Sequence, residues 1–83
     1  MATQQVTLDI PERVILAEKT DATSFGHEIK MLAAVKLYEL GRLSSGSAAE
    51  LAGISRVAFL SLLNRYKVFP FLAELNDLES EHG

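Results

Sequence analysis

The sequence predicts an all-α fold, a small helical domain with a helix-turn-helix and one N-terminal β-strand. Three observations carry that expectation. The stretch from Leu43 to Leu63, LSSGSAAELAGISRVAFLSLL, reads as two short helices joined by a tight turn. From Phe25 to Leu40 the chain runs without proline at a helical period, and strand period occurs in one place, Gln4 to Ile10. The 83 residues suffice for one domain, 1–83, and at 48% apolar and 23% charged the composition is globular rather than disordered.

Taken in order, Val6, Leu8 and Ile10 alternate with Gln5, Thr7 and Asp9, the pattern of a half-buried strand over residues 4–10. A single strand is not stable alone. It therefore needs a partner in another copy of the chain or serves as a purely extended segment. Pro11 ends the strand and can open a short helix running to about Lys19, the first of two helices expected over 11–41.

Thr23 or Ser24 is a candidate cap for the longest helix, which should stop at Gly41. On this helix Ile29, Ala33, Leu37 and Leu40 form one apolar stripe, and Met31, Ala34, Val35 and Tyr38 form a second. Two stripes imply burial on two sides. A homodimer is therefore expected, with Val6, Leu8 and Ile10 of the strand and Met31, Val35 and Tyr38 of the long helix as its contacts.

In the helix-turn-helix, placed at 43–67, Ser44 or Ser45 can cap the first helix and Ser55 the second. Gly53 suits the left-handed turn between them, and Ile54 can plug the turn from below. Ala49 is small enough for the second helix to cross the first, while Phe59 and Leu62 recur on one side of that helix.

The chain carries a net charge of −3, but unevenly. Residues 41–70 hold Arg42, Arg56, Arg65 and Lys67 against Glu50, whereas 71–83 hold four acidic groups and no basic one. The basic segment is the helix-turn-helix. The DNA-binding candidates are accordingly Arg42, Ser55, Arg56, Ser61, Asn64, Arg65 and Lys67. Arginine suits guanine or phosphate, and asparagine suits adenine. A helix pair used wholly for packing or protein contact would share the same Ala and Gly pattern, so both readings stay open here.

The acidic tail, 71–83, interleaves Phe71, Leu72, Leu75 and Leu78 with acids. Those four residues are candidates for a partner groove or for covering the chain's own core. Catalysis finds no foothold. There is no cysteine, His27 and His82 lie far apart, and neither a Gly-rich phosphate loop nor a metal-ligand motif occurs. No enzyme activity, metal or cofactor is expected. With neither a signal sequence nor a run of about 18 apolar residues, the expected location is cytoplasmic, away from the membrane.

The order strand, short helix, long helix over the first 40 residues resembles the ribbon-helix-helix unit of dimeric repressors, which implies an intersubunit ribbon. More specifically, the phrases Val35–Glu39, Gly41, Leu43–Ser44, Ala48–Gly53, Ser55 and Phe59–Leu63 resemble a small prokaryotic helix-turn-helix family whose members are described as antitoxins. That likeness runs over roughly residues 5 to 70. It implies a DNA-binding regulator in a type II toxin-antitoxin system, with a PIN-domain nuclease as the toxin. The alternative to that role is a helical protein-interaction module without DNA binding.

Overall fold

The computed structural model describes residues 2–70. Over them the chain forms four α-helices: α1 (Glu12–Ala17), α2 (Ala22–Glu39), α3 (Ser45–Ala52) and α4 (Arg56–Leu62), the last passing directly into a 3-10 turn at Leu63–Tyr66. Each long element starts on a side-chain cap. The Ser24 amide donates to Asp21 Oδ1 at 2.9 Å, the Ser47 amide to Ser44 Oγ at 3.2 Å, and the Ala58 amide to Ser55 Oγ at 3.1 Å. Of the two serines available for α3, Ser44 is the cap. For α2 the cap is Asp21, which starts the helix ahead of the expected Thr23 or Ser24, because a carboxylate accepts from helix amides more strongly than a hydroxyl does.

The helices also end alike. After α2, Gly41 at φ 75° sends its amide to the Tyr38 carbonyl and the Arg42 amide reaches the Leu37 carbonyl, both at 2.9 Å. After α3, Gly53 at φ 76° and Ile54 repeat this on Glu50 and Ala49. Lys19 at φ 54° and Lys67 at φ 57° close α1 and the 3-10 turn with the same pair of bonds. Each is a left-handed stop that satisfies two orphan carbonyls. Glycine adopts it without strain; lysine pays on the order of 1 kcal/mol for its Cβ.

The core lies between α2, α3, α4 and the 3-10 turn. It consists of Ala34, Val35, Tyr38, Ala48, Ala49, Phe59, Leu60, Leu63 and Val68. Ala34, Ala48 and Ala49 have almost no exposed surface, so the backbones approach closely where α2 meets α3 and α3 meets α4. In the space between, the Tyr38 and Phe59 rings meet edge to face, with centroids 5.6 Å apart at 85°. Ile54 packs under the turn, as its position after Gly53 led one to expect.

Two expectations are corrected. Residues 2–10 take no regular secondary structure, and no strand exists among the described residues. A strand is defined by its ladder, and these residues find no second strand within the described chain. The two stripes of α2 also differ in kind. Val35 and Tyr38, expected at a subunit contact, are 6% and 1% exposed within this chain's own core, because α3 and α4 dock on that side. The other stripe keeps Ile29, Ala33 and Leu37 half-buried and leaves Leu40 exposed. No single helix among the described residues is long and apolar enough to cross a membrane. The tail candidates Phe71, Leu72, Leu75 and Leu78 lie outside the described residues.

Candidate nucleic-acid interface

The Gly53 turn reverses the chain so that the segments Ser45–Ala52 and Arg56–Tyr66 meet at 93°. That lies in the range of helix-turn-helix units, in which the second helix is held out from the first and can enter a groove. α3 supplies the platform. Its Ala48 and Ala49 face inward, and α4 is anchored across them by Phe59, Leu60 and Leu63.

Anchoring fixes which side of α4 is left outward. Ala58, Ser61, Asn64 and Arg65 are exposed, and Lys67 follows them at the left-handed stop. The spacing from Ala58 to Ser61 and from Ser61 to Asn64 and Arg65 is the three and four of one helix face. Ser61, Asn64 and Arg65, three of the expected DNA contacts, are thus exposed on one side of the chain. Ala58 opens that surface in the first turn of α4. Its place three residues before Ser61 puts it on the same helix face. A small residue there keeps the helix backbone close to whatever it touches.

Two expected contacts are otherwise engaged. Arg56 is half-buried, and its Nε donates to Ser45 Oγ at 2.9 Å, tying the start of α4 to the start of α3. Ser45 itself is 2% exposed. Arg56 thus holds the two helices in register rather than extending from the surface. Ser55 spends its oxygen on the α4 cap. Arg42, on the turn after α2, is exposed and adds to the charge of this half of the chain. No signal short of the fold could have paired Ser45 with Arg56, which stand 11 positions apart.

The surface is chemically sparse but consistent. Exposed Arg42, Arg65 and Lys67 can meet phosphate oxygens, Asn64 and Ser61 can hydrogen-bond base edges, and Glu50 is the one acid in residues 41–70. Of the dimer candidates, Val6 and Leu8 are 78% and 57% exposed, while Ile10 and Met31 are half-buried.

The profile of one family, described as Uncharacterised protein family (UPF0175), matches residues 1–82. No curated protein and no solved structure matches the chain.

Proposed function

Given that the chain belongs to the uncharacterised protein family UPF0175, we propose that it is a DNA-binding transcriptional regulator acting as the antitoxin of a type II toxin-antitoxin pair. The observation supporting the DNA-binding part is the 93° helix-turn-helix, whose second helix turns Ser61, Asn64 and Arg65 outward on a basic segment. In this reading α4 lies in the major groove. Arg65 and Lys67 hold one phosphate backbone, Arg42 approaches the other, and Asn64 reads a base. The antitoxin part rests on the family likeness in the phrases from Val35 to Leu63, and it makes a PIN-domain nuclease the partner. Phe71, Leu72, Leu75 and Leu78 are the proposed toxin contacts. The setting is the cytoplasm, and the role requires no enzyme activity or cofactor.

Fluorescence anisotropy on the promoter of the protein's own gene tests the reading. With three phosphate-directed cations per copy, affinity should fall with salt on a log–log slope of about −3 per copy. Arg65→Ala and Lys67→Ala should each lower the slope by about 1. A second reading, a protein-interaction module, is favoured by the overall charge of −3 and by apolar Ala58 on the outward side of α4. It takes over if the folded protein leaves promoter DNA unbound at low salt.

A further inference from the structure

Among the described residues the core runs from Ala34 to Val68, and the half-buried side chains packed against it all follow Ala34 as well. The chain ahead of α2 is held in a different way. Among residues 2–20 only Ile10, Ile15 and Thr20 are half-buried, and the rest are exposed. α1 has six residues, none of them buried, and no side-chain cap at its start. A helix of that length does not persist alone. What keeps it in place is apolar contact: Ile10 and Ile15 line the same surface as Phe25 and Ile29 of α2, and all four are half-buried.

The join between the two parts is self-contained on each side. α1 closes on its own left-handed stop, where the Lys19 and Thr20 amides donate to the Leu16 and Ile15 carbonyls at 3.0 and 3.3 Å. α2 opens on its own cap, the Asp21 carboxylate. Neither set of bonds uses a group from the other side.

We propose that residues 2–20 form a strap that opens and closes over α2 as one unit, hinged between Thr20 and Asp21, while α2, α3 and α4 stay folded. A segment opens separately when few apolar contacts hold it and when its departure leaves the caps and core of the remainder intact. Both conditions hold here. Two half-buried isoleucines carry the strap's apolar contact, and its departure removes neither Asp21 nor a core residue. Opening uncovers Phe25 and Ile29 and leaves Ser61, Asn64 and Arg65 where they are. The strap thus decides when this apolar side of α2 is accessible, and the inference does not depend on whether α4 meets DNA.

Native-state hydrogen exchange on the full chain tests it. The Glu18, Lys19 and Thr20 amides, which bond within α1 and its stop, should exchange through one shared opening. Their exchange should be at least about 100-fold faster than that of the Phe59 amide in the folded part. The shared rate should rise with urea, less steeply than the rate at Phe59, because the strap exposes less surface than global unfolding does. Ile15→Gln should speed exchange of the three strap amides about 5-fold and leave Phe59 unchanged. Strap amides as slow as Phe59 overturn the proposal. So do three unrelated rates, a strap rate indifferent to urea, or an Ile15→Gln substitution that speeds Phe59 equally.

Discussion

Arg56 Nε donates to the buried Ser45 Oγ across 2.9 Å, so the first turns of α3 and α4 are held by one charged hydrogen bond. A bond to a charged group contributes roughly 1.5–3 kcal/mol, and losing one partner strands the other. Ser45→Ala should lower stability by about 1–2 kcal/mol. Arg56→Ala should do so too, and the double substitution should cost less than the sum of the two. A double-mutant cycle by urea unfolding checks this. If Arg56 acted only as a DNA contact, its replacement would leave stability unchanged.

Lys67 sets charge against backbone comfort. At φ 57° it occupies a conformation that glycine adopts freely. Lys67→Gly should raise stability by up to about 1 kcal/mol while removing one cation from the proposed DNA face. A higher melting temperature together with a shallower salt slope is the expected pair of results. Lys19→Gly, at φ 54° beside α1, should show the stability gain alone.

The corner between α3 and α4 should be intolerant in the opposite sense. Gly53 has open space around its Cα but stands at φ 76°. Gly53→Ala should therefore destabilise by about 1 kcal/mol through backbone strain alone. Gly26→Ala, in an open and regular part of α2, should stabilise by roughly 0.5–1 kcal/mol. Thermal melts of the two variants should move in opposite directions.

Phe59 has no exposed surface and meets Tyr38 edge to face. Phe59→Ala removes a ring from the point where α2, α3 and α4 converge, at a cost of about 3–5 kcal/mol. A domain of this size has little more than that to lose. The expected result is loss of a cooperative melting transition, with Phe59→Leu retaining a weakened one.

Asp21 supplies a pH dependence. The Ser24 amide donating to its carboxylate holds the Asp21 pKa below its ordinary value. A lowered folded-state pKa means that the cap's contribution is present above the unfolded-state pKa of about 4 and is lost as pH falls through the folded value. Melting temperature should drop on acidification across that window. Asp21→Asn keeps an oxygen at the cap and should flatten this part of the profile.

What the sequence determined by itself was everything that acts over three or four residues. Ser44, Ser55, Gly41 and Gly53 announced their caps and stops because each bonds only to the turn beside it. The recurrence of Phe59 and Leu62 likewise marked one inward side of α4, although Leu60 and Leu63 are buried more deeply than Leu62. Tertiary structure decided the rest. Both stripes of α2 were apolar, and only the docking of α3 and α4 determined that Val35 and Tyr38 would be buried inside one chain while Leu40 stayed out. Arg56 read as a surface cation until folding brought Ser45 to it. The alternating arm read as a strand, yet a strand's period says only that a ladder can form. The groups that would complete it lie on another segment, and within residues 2–70 no segment supplies them.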